Sequence, residues 1–172
     1  MSKKIAVVMT DLFEDVEFTS PKEELEKAGH ILTTIGFDAG ETVTGKKEDT
    51  KVTIDKGIGE VSPENFDALL IPGGYSPDKL RKDERFLDFT RYFANNKMPI
   101  FTICHGPQLL INAEVLKGKD ITSVSQVAID LKNAGANFHD KEVVIDDSGL
   151  ISSRTPDDLP AFNKAMLDAL SE

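Results

Sequence analysis

Short apolar segments that alternate with helical patterns are the strongest constraint on how this chain can fold. Continuous apolar runs occupy residues 5–9, 67–71 and 98–103, as expected of β-strands that are covered on both faces. Amphipathic helical patterns lie between them, such as the stripe of phenylalanines within residues 84–96. Repeated β-α-β units predict an α/β fold with a mostly parallel sheet and helices on both faces.

Local signals predict where several elements begin and end. The segment Ser20-Pro21-Lys22-Glu23 resembles a capping box with proline at the first helical position, which predicts a helix over residues 18–28, with Glu17 as an alternative start. Gly118 is expected to end the helix that follows residue 104, and residues 37–60 favour a small hairpin. The remaining predicted elements are a strand at 30–35, a helix at 125–134, strands at 142–146 and 149–153, and a final helix with the stripe Leu159, Phe162, Met166 and Leu170.

Length and charge restrict the class of protein. A chain of 172 residues fits a single domain that spans residues 1–172. Its 20 basic and 30 acidic residues give a net charge of −10, which argues against nucleic acid or an anionic membrane as the main partner. The apolar run at residues 5–9 is too short for a signal peptide or a membrane span, so a cytoplasmic location is expected.

The cysteine count limits the chemistry further. Cys104 is the only cysteine, so no internal disulfide can form and zinc sites built from several cysteines are excluded. No metal and no cofactor is expected.

Three chemically notable segments follow predicted strands. They are residues 10–17, residues 72–78 and the dipeptide Cys104-His105. Parallel sheets place their sites at the carboxyl ends of the strands, so these segments are expected to meet at one edge.

Cys104 is the candidate nucleophile. It lies at a strand-to-helix turn, where the amides of the helix N-terminus favour the thiolate, and Gly106 removes side-chain bulk from the turn. His105 beside it is a candidate base. The alternative is a buried core cysteine, which behaves as a small hydrophobe.

The glycines of Pro72-Gly73-Gly74 are candidates for an oxyanion hole. Glycine lets a backbone amide point into a site, and the strands that end at Ile71 and Ile103 are expected to be neighbours because one helix joins them. The alternative is an ordinary tight turn after a strand.

An acidic run, residues 13–17, supplies a candidate proton carrier. Glu14 and Asp15 are interpreted as a solvated loop, whereas Glu17 at the helix start is expected to turn into the pocket. A carboxylate beside Cys104 raises the pKa of the thiol, so Glu17 can stabilise a thiolate only when it is protonated and donates its hydrogen.

These segments together resemble the PfpI family, a branch of the superfamily that includes the parkinsonism-associated deglycase. The segments that carry the resemblance are Phe13-Glu14-Asp15-Val16-Glu17, Ile71-Pro72-Gly73-Gly74, Ile103-Cys104-His105-Gly106-Pro107-Gln108 and Ser153-Arg154-Thr155-Pro156-Asp157-Asp158-Leu159. The resemblance covers essentially the whole chain. It points to the bacterial group of general stress proteins, intracellular cysteine proteases and protein deglycases.

The resemblance implies a flavodoxin-like three-layer sandwich that assembles as a homodimer or a hexamer built from dimers. It implies Cys104 as the nucleophile with Glu17 hydrogen-bonded to it. In protease-like members, the histidine and an acidic residue from a neighbouring subunit complete a triad, and that residue maps onto Asp78. One position departs from the pattern, because Val124 stands where relatives often carry tyrosine or histidine.

Three functions follow as hypotheses. The leading one is a cysteine-dependent enzyme that acts on reactive-carbonyl damage of the glyoxal or methylglyoxal type, with a small carbonyl or a glycated protein or nucleotide as substrate. The second is an intracellular cysteine peptidase that uses Cys104, His105 and Asp78. The third is a redox sensor or stress chaperone without turnover.

His139 and Arg154 are interpreted without a catalytic role. A glutamine amidotransferase is set aside because His139 is followed by Asp140 rather than by the required His-x-Glu pair. Arg154 is interpreted either as ordering the loop beside the site or as a surface ion pair.

Overall fold

A central sheet flanked by helices organises the computed structural model, which describes all residues from 1 to 172. The strands are β1 (Lys4–Val8), β2 (Ile31–Gly36), β3 (Thr42–Thr44), β4 (Lys51–Thr53), β5 (Lys56–Gly57), β6 (Ala68–Ile71), β7 (Ile100–Ile103), β8 (Asp120–Ile121), β9 (Asn137–Phe138), β10 (Val144–Ile145) and β11 (Leu150–Ser153). The helices are α1 (Asp15–Lys27), α2 (Ser76–Leu80), α3 (Glu84–Asn95), α4 (Pro107–Ala113), α5 (Ala128–Asn133) and α6 (Leu159–Leu170).

The sheet has seven strands in the order β10-β11-β7-β6-β1-β2-β5. All neighbouring pairs are parallel except β10 with β11. The predicted α/β class is confirmed, and so is the prediction that the strands ending at Ile71 and Ile103 are neighbours, since β6 pairs with β7. The strands β1, β6 and β7 therefore end side by side.

Both faces of the sheet are buried, which explains the continuous apolar runs. Along β1, Ala6 and Val8 belong to one core of 22 buried residues, while Ile5 and Val7 belong to a second core of 19. Helices α2 to α5 contribute to the first core, and α1 and α6 to the second. The stripe predicted for the final helix is fully confirmed as buried. The result is a three-layer sandwich.

The hairpin expected within residues 37–60 is present as the antiparallel pair β3 and β4. The helix predicted at 125–134 is α5, preceded by a 3₁₀ turn at Ser125–Val127. The short elements α2, β5, β8 and β9 were not predicted, because two to five residues carry too little periodicity to be recognised.

The predicted start of α1 is wrong. The helix begins at Asp15, and Pro21 lies inside it rather than at its first position. The side chain of Ser20 accepts a hydrogen bond from Asn163 Nδ2 at 2.9 Å, so it joins α1 to α6 instead of capping. Buried packing of Pro21 offsets the backbone hydrogen bond that proline cannot donate.

The predicted end of α4 is also wrong. The helix stops at Ala113, because Glu114 adopts the left-handed conformation (φ 59°) that closes a helix. Gly118 lies further on, in the turn before β8.

None of the helices is both long enough and apolar enough to cross a membrane.

Candidate active site

Cys104 occupies a strained elbow between β7 and α4. Its φ of 63° lies in the left-handed region, which a residue with a side chain adopts only when its surroundings hold it there. Its N–H donates to the Ser153 carbonyl at 3.1 Å, and its carbonyl accepts from the Val124 N–H at 3.2 Å. Cys104 as a whole residue is only 8% exposed, so its side chain is largely removed from water.

Gly106 allows the elbow to pack against the sheet. A Cβ at this position would lie 2.7 Å from the Ile71 carbonyl oxygen and 3.0 Å from that of Ile103, and it would collide with the Thr102 hydroxyl. The expectation that the turn tolerates no side chain here is confirmed.

Glu17 reaches the thiol from the first turn of α1 and is fully buried. Its Oε1 accepts a hydrogen bond from the Gly73 N–H at 2.8 Å, and its Oε2 has no hydrogen-bond partner. Burial raises the pKa of Glu17 to about 8, although the hydrogen bond from Gly73 and the nearby Cys104 thiol act in the opposite direction. At neutral pH the carboxyl therefore carries its proton, as the chemistry requires.

Gly73 separates Glu17 from Cys104. A Cβ on Gly73 would lie 2.5 Å from Glu17 Oε1 and 3.0 Å from the Cys104 Cβ. Its N–H already binds Glu17, so this glycine positions the acid and is not free to hold an oxyanion. The Gly74 N–H donates to no backbone or oxygen acceptor and stays a candidate for that role. The N–H of His105, the residue directly after the nucleophile, is free of such acceptors as well and is a second candidate.

Gly73→Ala is expected to lower stability by about 1–3 kcal/mol, because the new methyl group must displace the Glu17 carboxyl or the Cys104 side chain. Urea unfolding measures this loss. Gly59→Ala is the control, since neither glycine has a left-handed φ and a Cβ on Gly59 would meet only the end of the Arg85 side chain, at 3.4 Å. Equal losses in the two variants would show that the Gly73 contacts are unimportant.

The thiol of Cys104 is less acidic than the sequence suggested. Burial, reinforced by the charge of Glu17, raises its pKa to about 12, while the His105 N–H acts in the opposite direction. The expectation that the amides at the helix start favour the thiolate holds in direction, but desolvation outweighs that effect and the net pKa is raised. A base must accept the proton when the sulfur reacts.

His105 is in place to be that base. Its Nδ1 lies 3.4 Å from the Cys104 sulfur, so the two neighbouring side chains face each other. Burial, followed by the charge of Lys46, lowers the pKa of His105 below its ordinary value. The imidazole is thus neutral at pH 7 and can accept a proton.

Asp78 does not join this group within one chain. It lies on α2, its side chain is 66% exposed, and its carboxylate is 3.5 Å from the Arg81 guanidinium. It makes no hydrogen bond to His105, although its charge raises the pKa of that histidine. The single chain contains the Cys104–His105 contact without the third member of a triad.

The expectation of a solvated loop at Glu14 and Asp15 is wrong, since both are buried. Asp15 accepts hydrogen bonds from the backbone of Lys47 at 2.9 Å and Thr50 at 3.0 Å. Burial alone would raise the pKa of Asp15, but these bonds outweigh it and lower the pKa to about 2. The acidic run thus anchors a loop over the site.

That loop brings Lys46, which sequence reasoning missed. Its ammonium is 3.4 Å from Glu14 and 5.0 Å from the centre of the Tyr75 ring. Its charge lowers the pKa of both Glu17 and His105, so it tunes the proton carriers. No local sequence signal marked Lys46, because it is far along the chain from the acidic run that it meets.

The other candidates lie elsewhere. His139 is 2.9 Å from Asp120, and Arg154 pairs with Asp158 and Asp140. No group of three or more histidine, cysteine, aspartate or glutamate side chains could hold a metal ion.

Comparison with known proteins identifies the family of the chain. The DJ-1/PfpI family model matches residues 3–169, and the chain belongs to that family. The chain is 61% identical over 170 residues to protein/nucleic acid deglycase 2 of Escherichia coli, with 99% of each chain covered. It is 52% identical over 172 residues to general stress protein 18 of Bacillus subtilis, with both chains fully covered.

Solved structures confirm the flavodoxin-like fold. Drosophila melanogaster DJ-1beta matches with a TM-score of 0.86 and 29% identity, covering 96% of this chain and 89% of that one. A two-domain protein of Anabaena variabilis, with DJ-1/ThiJ/PfpI-like and ferritin-like domains, matches with a TM-score of 0.95 and 35% identity. That match covers 98% of this chain and 48% of the larger protein.

Proposed function

We propose that this protein is a cysteine-dependent enzyme that repairs or removes reactive-carbonyl damage of the glyoxal and methylglyoxal type. One observation carries the proposal: the Cys104 sulfur lies between a neutral base, His105, and a neutral acid, Glu17. Catalytic sites typically shift the pKa values of two titratable groups so that one acts as a base and the other as an acid beside the nucleophile.

The first step is addition of the thiol to an aldehyde. The sulfur forms a bond to the carbonyl carbon while His105 Nδ1 accepts the thiol proton, in the tautomer that carries its own hydrogen on Nε2. The carbonyl π electrons move to oxygen, which takes the proton of Glu17. The Gly74 and His105 amides are the donors available to the oxygen. The product is a hemithioacetal.

An amine adduct reacts at the same place. When the substrate is the hemiaminal of methylglyoxal with a lysine or a nucleobase amine, the sulfur displaces the amine. The leaving nitrogen takes the proton of Glu17, so the free amine and the same hemithioacetal result. A single site can therefore act on the free aldehyde and on its early adducts.

The second step returns the thiol. The Glu17 carboxylate takes the proton from the hemithioacetal carbon while protonated His105 gives its proton to the ketone oxygen, which forms an enediol. Glu17 then returns its proton to the second carbon and His105 takes the hydroxyl proton of the first, so the first carbon is oxidised to a thioester and the second is reduced. Water bonds to the thioester carbon and gives one proton to Glu17, and the sulfur leaves with the proton of His105, which releases a 2-hydroxy acid and free Cys104. No outside oxidant or reductant is needed.

The similar proteins support this choice. One relative is named a protein/nucleic acid deglycase and another a general stress protein. Val124 supplies no polar ring, so the proton transfers are assigned to Glu17 and His105 alone.

The experiment follows lactate formation by NMR when the protein is mixed with methylglyoxal, or with the freshly formed hemiaminal of N-acetyl-lysine. Because Cys104 is the only cysteine, protein pre-treated with iodoacetamide is a matched control. Turnover that the pre-treatment removes supports the proposal. Lactate formation that does not differ between the two samples would refute it.

A cysteine peptidase is the second candidate, favoured by the 3.4 Å contact between Cys104 and His105. A Bacillus subtilis relative that is 55% identical is named a putative cysteine protease. Peptide cleavage would need Asp78 to be supplied by another subunit, in a homodimer or a dimer-built hexamer, because within one chain it does not bind His105. Cleavage of a fluorogenic peptide with no lactate formation would favour this candidate.

A further inference from the structure

We propose that Arg154 and Asp158 form a clamp that positions the Cys104 elbow from the neighbouring strand end. The proposal goes beyond the proposed function and does not depend on which carbonyl compound is the substrate. It assigns a purpose to an ion pair that lies outside the group of reacting side chains.

The clamp is forked and partly buried. Arg154 Nε and Nη2 donate to the two oxygens of Asp158 at 2.9 and 3.0 Å, the bidentate geometry that fixes orientation as well as distance. The backbone N–H of Arg154 donates to the same carboxylate at 2.9 Å. Asp158 is 5% exposed while the Arg154 side chain is 33% exposed, so the pair is buried on the carboxylate side and partly screened by solvent on the other. A contact of Arg154 with the exposed Asp140 adds a weaker tie.

The clamp acts on the residue beside it. Ser153, the last residue of β11, is fully buried and precedes Arg154 directly. Its carbonyl accepts the N–H of Cys104 at 3.1 Å, which extends the pairing of β11 with β7 by one residue. Fixing the main chain at Arg154 therefore fixes the acceptor that holds the elbow.

The elbow needs such support from both sides. Cys104 has a φ of 63°, and residues in that region stay there only when several contacts hold them. On its other side, the Val124 N–H holds the Cys104 carbonyl. Val124 and Arg154 line the same surface cleft, so the two supports are close together. Releasing one of them allows the thiol to move out of its buried position.

A graded series of variants follows. Asp158→Ala removes both the forked pair and the bond to the Arg154 N–H. Arg154→Gln removes the forked pair and the contact with Asp140 but keeps the bond from the backbone N–H, and Arg154→Lys keeps one charged contact. Arg85→Gln is the matched control. It removes a similar fork to Asp83, with distances of 3.1 and 2.8 Å, at the exposed start of α3.

The test is the rate of iodoacetamide alkylation of Cys104 between pH 7 and 10. A thiol that loses part of its burial titrates closer to its ordinary value, so we expect alkylation at pH 8.5 to rise by about tenfold in Asp158→Ala. A smaller rise is expected in Arg154→Gln, the smallest in Arg154→Lys, and none in Arg85→Gln.

Urea separates local from global effects. In the clamp variants the faster alkylation should not change in urea concentrations below the unfolding transition, because it reflects the folded elbow. An increase that follows global unfolding, or a pH profile identical to that of the parent, would show that the pair is only structural. Lactate formation is measured on the same variants as a separate readout. If the protein forms no lactate, the proposed function fails, but the alkylation rates still test the clamp.

Discussion

Cys104→Ser is expected to reduce methylglyoxal turnover at least about a thousandfold, because a serine hydroxyl is a far weaker nucleophile than a thiol and the site offers only a neutral histidine as base. The substitution changes one atom in a buried position, so the fold should persist. This is the largest effect on activity that we expect from any single change in the chain.

Two measurements accompany that assay. Urea unfolding of Cys104→Ser should agree with that of the parent within about 1 kcal/mol, which separates lost chemistry from lost structure. The second check is that iodoacetamide does not label the variant, since it contains no thiol. Turnover within tenfold of the parent would mean that another group attacks the carbonyl.

Glu17→Gln is expected to change how stability depends on pH. In the folded chain, burial raises the pKa of Glu17 from 4.5 to about 8. Between these values the folded state holds a proton that the unfolded state has released, so the parent loses stability as the pH rises through this window. The contribution of Glu17 is fully present below pH 4.5 and is lost by about pH 8. Glutamine stays neutral and lacks this dependence.

The expected size is large for one residue. Relative to Glu17→Gln, the parent should lose about 4 kcal/mol of unfolding free energy between pH 5 and pH 8.5. Urea unfolding at four or five pH values measures this difference. Glu23→Gln is the control, because Glu23 is an exposed glutamate on the same helix and its replacement should matter by less than about 0.5 kcal/mol at each pH. Parallel curves for the parent and Glu17→Gln would show that Glu17 is ionised in the fold at neutral pH.

The α/β class, the pairing of β6 with β7 and the meeting of polar segments at the strand ends were predictable from sequence, whereas the full strand order was not. Continuous apolar runs are typical of strands buried on both faces, and three polar segments followed those runs. Connection rules then placed Gly73 beside Cys104, and the structure confirms it. The PfpI resemblance pointed to the same residues.

Burial of individual polar side chains was not predictable. Glu14 and Asp15 look like a solvated run in sequence, yet the loop at residues 45–50 folds over them and the backbone amides of that loop bind Asp15. Nothing local indicates that contact, because more than 30 residues separate the partners. The role of Lys46 was missed for the same reason.

The acidity of the thiol also depends on tertiary structure. The helix start after Cys104 argued for a thiolate, but burial and Glu17 together raise the thiol pKa. Pro21 is a second case in which tertiary packing overrides a local sequence signal. Its position suggested a helix start, and packing between α1 and α6 decided otherwise.

The central claim is that Cys104 attacks the carbonyl and Glu17 carries the proton. The most direct test mixes stoichiometric protein with ¹³C-labelled methylglyoxal and follows the sulfur-bound carbon and free lactate by NMR. In the parent we expect a transient hemithioacetal and rapid lactate. In Glu17→Gln the carbonyl oxygen must take its proton from water, so the hemithioacetal should form more slowly, accumulate and release little lactate. Lactate formed by Glu17→Gln at the parent's rate, or by the parent without any sulfur-bound carbon, would contradict the claim.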